Sequence, residues 1–145
     1  MDKRARTIQT RSAPPDVGTK HLVATYFGAD GARDSLTIED ISGTRSWQSL
    51  TREFDALGQV TSQRYVDDNG DVRSAAFAYD AQGNKTQSVH TWANGDIVTS
   101  LFGLDGQRDS LRIEDISDTR SWTSRTRTYD DNGDVITTEF VRDVL

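Results

Sequence analysis

Hydrophobic and polar residues alternate along most of this chain in runs of about eight, and short polar segments carrying a glycine separate the runs. Val60 to Val66, Val72 to Tyr79, Lys85 to Trp92 and Val135 to Val141 are rich in Thr, Val, Ile and aromatic residues. Such residues fit a pleated, half-buried surface, and the alternation predicts strands. Turn signals stand at Gly31, Gly43, Gly58, Gly70, Gly83, Gly95, Gly106, Asp118 and Gly133, spaced 11 to 15 residues apart. Asp30-Gly31, Asn69-Gly70, Asn94-Gly95, Asp105-Gly106 and Asn132-Gly133 are dipeptides that accept positive φ at low cost, which predicts two-residue hairpin turns of type I′.

A longer period overlies this one. Residues 26–60 align without gaps to residues 101–135 at an offset of 75, with 23 of 35 positions identical. So close a duplication is young, and residues common to both copies reflect shared origin rather than a selected functional set. The array predicts an all-β fold, an antiparallel meander of about ten strands made from repeated β-hairpins. Its edges need cover from closure, a second layer or a neighbouring chain, and the regularity of the hairpins favours a closed or nearly closed barrel or ring. Alternation places Trp47, Ser49 and Thr51 on one face, with Trp122, Ser124 and Thr126 in the copy. Leu50 is replaced by Arg125, which marks the opposite face as wet.

Composition narrows the classes. Only 34% of the 145 residues are hydrophobic, so the core must be thin or partly built from Ser and Thr. The absence of Cys removes disulfides and thiolate chemistry. A net charge of -6 argues against sequence-independent binding to nucleic acid, and no run is long and apolar enough for a transmembrane helix. Lys3, Arg4, Arg6, Arg11 and Lys20 against Asp2 and Asp16 give the first twenty residues +3, leaving -6 - 3 = -9 for the rest. Residues 1–19, with Pro14-Pro15 and Gly18, are expected as a flexible basic leader, followed by a single hairpin-repeat domain over 20–145. The acidic, Cys-free composition and the end Phe140 to Leu145 favour a secreted or cell-surface location over a cytoplasmic one.

Candidate chemistry is sparse. Asp67 and Asp71, with Asp130 and Asp134, concentrate the hard oxygen ligands that Ca²⁺ prefers, although the same residues suit solvated turns. Glu39-Asp40 and Glu114-Asp115 are paired acids that a small hydrolase would need, yet neighbours on a strand point to opposite faces. His21 and His90 have no metal or triad partner at a meaningful spacing. Trp47, Trp92 and Trp122 could stack on a sugar or another ligand, or serve the core.

Phe54-Asp55-Ala56-Leu57-Gly58, Tyr79-Asp80-Ala81-Gln82-Gly83 and Tyr129-Asp130-Asp131-Asn132-Gly133 resemble the YD motif of RHS/YD-repeat proteins. The resemblance implies β-sheet shells or strips of large bacterial surface or secreted proteins. The period here is longer than that family's, and Gln59, Asn84 and Asp134 stand where it usually has Arg. The expected function is a non-enzymatic β-repeat scaffold or binding module without a cofactor, with a protein or carbohydrate partner and scope for homo-oligomers. A small barrel holding a lipid or other apolar ligand is the alternative, and an acid-based hydrolase a third.

Overall fold

The structure is a computed structural model that describes residues 4–12 and 20–144. Eleven strands follow in chain order: β1 (Arg4–Ser12), β2 (Lys20–Phe27), β3 (Arg33–Asp40), β4 (Trp47–Phe54), β5 (Val60–Asp67), β6 (Val72–Tyr79), β7 (Lys85–Thr91), β8 (Ile97–Phe102), β9 (Arg108–Glu114), β10 (Trp122–Tyr129) and β11 (Val135–Arg142). There is no helix among the described residues, hence none long and apolar enough to cross a membrane. Strand order in the sheet is the chain order from β1 to β11. The all-β meander is therefore as expected, while the expected closure is not: the sheet is open. Closure needs the last strand to find the first, and here pairing stops at β1 and β11.

Part of the expected leader is described, and Arg4–Ser12 within it is strand β1, paired antiparallel with β2. Residues 1–3 and 13–19 lie outside the described residues. The chain divides into two compact units, Met1–Ser74 and Ala75–Leu145. In a meander each strand touches only its sequence neighbours, so contacts thin out with distance along the chain.

In the first unit, register places Val23, Ile38, Leu50 and Tyr65 in one row across β2 to β5. Leu50 is 6% exposed, flanked by Ile38 and Tyr65. The face expected to be wet is therefore covered at Leu50, while Ser35 is buried on the opposite face. Aliphatic and aromatic neighbours two strands wide do what one strand's sequence cannot show. The opposite face carries Thr37 and Thr51, whose hydroxyls stand 3.4 Å apart. In the second unit the matching row is His90, Val98, Ile113, Arg125 and Phe140. Ile113 is buried there, and beside it Ser88 and Ser100 are buried as small residues beneath larger neighbours. Among described residues only Leu50, Ala75 and Ile113 form an apolar core. The core is as thin as the composition requires.

Among the described residues seven turns share one design, and it is not type I′. At Asp55–Gln59 the N–H of Asp55 donates to Gln59 O at 2.9 Å, and Gly58 N–H donates to Asp55 O at 3.0 Å. Only the glycine takes positive φ, +80° at Gly58, whereas type I′ needs two such residues. The result is a type I turn followed by a left-handed glycine, and the same pair of bonds recurs at 28–32, 67–71, 80–84, 92–96, 103–107 and 130–134. Side chains lock it in two ways. Asp55, Asp80 and Asp130 at the first loop position accept from the third and fifth N–H groups. Asp30, Asn69, Asn94 and Asp105 instead stand before the glycine and accept from the residue after it. An Asp or Asn before Gly was thus chosen for its acceptor oxygen, and not for positive φ.

Candidate functional site

The two longer turns, β3–β4 and β9–β10, carry the densest chemistry. In the second unit β9 ends at Glu114, and Asp115 folds back over the turn that follows. Its carboxylate accepts from Arg120 N–H at 2.6 Å, Thr119 N–H at 3.3 Å and the Ser117 hydroxyl at 3.0 Å. Asp96, at the end of the β7–β8 turn, is fully buried and accepts from Ser117 N–H at 2.9 Å, Asn94 Nδ2 at 3.1 Å and Arg120 Nη1 at 2.6 Å. The Arg120 guanidinium also reaches Asp115 at 3.3 Å and lies over the Trp122 ring, 5.0 Å from its centre. One cation thus joins two turns and an indole.

Electrostatics follow from these bonds. The Ser117 N–H, with the Arg120 guanidinium, the Ser117 hydroxyl and Asn94, holds the Asp96 carboxyl far below the usual carboxylate range despite burial. Burial pushes Asp115 up, and the donors Arg120 N–H, Thr119 N–H and Ser117 outweigh it, so its pKa is lowered. Both groups are fixed anions. Their lone pairs are committed to donors, which makes them structural acceptors rather than groups free to move a proton.

The first unit carries the same turn with two exchanges, one of them Gly43 at the position of Asp118. Asp40 accepts from Arg45 N–H at 2.7 Å and the Ser42 hydroxyl at 3.2 Å, and Arg45 lies over Trp47 at 5.0 Å. The Arg45 N–H, partly opposed by burial, lowers the Asp40 pKa. His21 stands where the second unit has Asp96, at the same offset of 75, with its Nδ1 3.5 Å from Asp40 Oδ1. That nitrogen is buried and makes no hydrogen bond. Asp96 was missed in the sequence because it lies just outside the aligned block; extending the same offset to 21 and 96 exposes the exchange.

The tryptophans do not form one site. Trp47 opposes Asp67 while Ser49 opposes Val66, so two steps on β4 answer one on β5 and Gln48 is an extra residue. This bulge turns Trp47 away from the Ser49 face. The shift between Trp122 and Ser124 does the same in the copy, and Trp122 meets Phe140 at 6.1 Å and Arg125 at 5.9 Å. The expected sharing of a face by Trp47 with Ser49, and by Trp122 with Ser124, is corrected by these bulges. Trp92 begins the turn 92–96 and is 42% exposed.

Asp67 and Asp71 close one turn, and Asp130 and Asp134 another. Asp67 Oδ1 is paired with Arg73 at 2.8 Å, Asp71 takes Asn69 Nδ2 at 2.9 Å, and Asp130 accepts Asn132 and Asp134 N–H groups. Among the described residues no three His, Asp or Glu groups come together as metal ligands. Glu114 pairs with Arg112 at 3.1 Å, away from Asp115.

The fold and these turns define a class: an open β-meander repeat protein with charge-locked hairpin ends. The chain matches no known protein-family model and no curated protein.

Proposed function

We propose that this chain is a non-enzymatic β-repeat scaffold whose sheet surface binds a protein or carbohydrate partner. The observation that carries this reading is how its strongest groups are used. Asp96, Asp115 and Arg120 are spent on holding the β9–β10 turn, and that turn presents Trp122 beside Arg125 and Phe140. An indole flanked by a guanidinium and a second ring offers flat apolar area with polar edges, the chemistry of sugar stacking and of protein hot spots. Similarity of the turns to YD repeats supports the same reading, of a module in a surface or secreted system.

The test is a screen of glycan and peptide arrays with the intact chain and with the double variant Trp122→Ala, Phe140→Ala, whose folding is checked by far-UV circular dichroism. Loss of the captured ligands in the folded variant is expected. Retention of every ligand would remove this patch from the function, and a preparation that turns over an arrayed substrate would overturn the non-enzymatic reading.

A further inference from the structure

We propose that the sheet face around β10 holds an acidic segment of a partner protein, with Arg125 and Arg127 pairing to its carboxylates beside Trp122. The proposal rests on the binding-surface reading above and names the chemistry of the partner. Arg125 and Arg127 stand two residues apart on one strand, so both belong to one face, about 6.8 Å apart along it. Register sets Arg125 between Ile113 and Phe140, and Arg127 between Leu111 and Thr138. Among the described residues neither guanidinium is in an ion pair, although the chain has 23 Asp and Glu. Glu114 and Glu139 lie opposite Ser124 and Thr126 on the other face. Asp109 holds its carboxylate against Gly103, where an added Cβ would meet Oδ1 at 3.0 Å. Arg127 Nε is buried without a hydrogen bond, and so is Arg52 Nε at the equivalent position of the first unit. A buried donor left open is costly, and here it recurs in both copies. The first unit has Leu50 where the second has Arg125, so the second adds a further open cation.

Charge chooses the occupant. A guanidinium only donates hydrogen bonds, and its planar fork matches a carboxylate two oxygens at a time. Sugar hydroxyls need acceptors as well as donors, whereas these arginines sit among the apolar side chains of Ile113, Leu111 and Phe140. An extended segment of the form apolar-x-acid-x-acid repeats the same spacing of about 6.8 Å. It sets its acids over Arg125 and Arg127 and its apolar side chain over Trp122, whose ring centre is 5.9 Å from the Arg125 guanidinium. β10 has β9 on one side and β11 on the other, so its face is complete without any further strand.

Fluorescence anisotropy of a fluorescein-labelled peptide, Gly-Ser-Leu-Ser-Glu-Ser-Glu-Ser-Gly, titrated with the intact chain tests this beside the same peptide carrying Gln for Glu. Saturable binding of the Glu peptide is expected, with the Gln peptide about tenfold weaker or more. Arg125→Leu with Arg127→Gln weakens the Glu peptide by about the same factor. Leucine is what the first unit already carries at the position of Arg125, and far-UV circular dichroism checks that the variant is folded. Arg64→Gln with Arg73→Gln removes the same charge from the first unit and leaves the affinity unchanged. A Glu peptide that does not bind, equal binding of the Gln peptide, or binding indifferent to the β10 arginines would each overturn the proposal. So would polygalacturonate that displaces the peptide at a lower carboxylate concentration through the same arginines, which would assign the face to an acidic sugar. If the Glu peptide fails while Trp122→Ala, Phe140→Ala still loses its array ligands, this inference falls and the scaffold reading stands.

Discussion

Leu50→Ala tests how the thin core is covered. Leu50 is 6% exposed and sits between Ile38 and Tyr65 on adjacent strands. The substitution removes three carbons, at about 0.8 kcal/mol each, or roughly 2.4 kcal/mol of lost transfer energy. In a closed core an unfilled cavity adds to this and carries the cost towards about 5 kcal/mol. An open sheet covered only by its own side chains lets water refill the gap, so about 2 to 2.5 kcal/mol is expected. Urea unfolding followed by circular dichroism measures it as a shifted midpoint at constant slope. Ile113→Ala in the second unit provides the parallel value. A cost below about 0.5 kcal/mol would show Leu50 already wet, and one above about 4 kcal/mol would show a closed or two-layered core.

Other outcomes follow from the turns and titrating groups. Asp118 holds φ 54° where its counterpart Gly43 holds φ 66°, so Asp118→Gly relieves a left-handed conformation and raises Tm by about 2–4 °C, while Gly43→Asp lowers it. Thermal melts of the two variants check both signs. Asp40, Asp80, Asp96 and Asp115 all have lowered pKa values, so their stabilisation is complete above the ordinary carboxylate value near pH 4. It is lost as pH falls through the lower folded-state values. Asp96→Asn should flatten part of that acid limb in urea titrations, and an unchanged limb would refute the role given to Asp96. Burial, with the charges of Lys85 and Arg108, lowers the His90 pKa. The unfolded chain then takes up a proton that the folded chain refuses, so stability declines as pH drops below roughly 6.5, and His90→Gln should remove that decline. Arg120→Lys keeps the charge but loses the planar fork that joins Asp96, Asp115 and Trp122. A lower Tm with Trp122 fluorescence shifted towards the solvated indole is expected.

The candidate site was legible only in part. Asp40 and Asp115 stood out as acids, but sequence spacing gave no reason to join Asp115 to Asp96, which is 19 residues away in the chain. What joins them is the packing of the β7–β8 and β9–β10 turns beside one another, carried by Ser117 and Arg120. The tryptophan faces were misread for a related reason. A bulge adds one residue to one strand and inverts every face before it, and alternation within a single strand carries no mark of it.

What the sequence determined by itself is whatever depends on near neighbours. The strands, the antiparallel order, the duplication and the glycine positions all follow from period-two alternation and from turns of a few residues, and each appears in the structure. The scarcity of apolar residues likewise fixed a thin core. Tertiary structure decided what depends on the neighbouring strand: burial of Leu50, the bulges at Gln48 and Thr123, and the ion pair between Asp96 and Arg120. The physical reason is that a sheet's faces and edges belong to pairs of strands, and a residue's burial or charge partner is set by register, which no single strand contains.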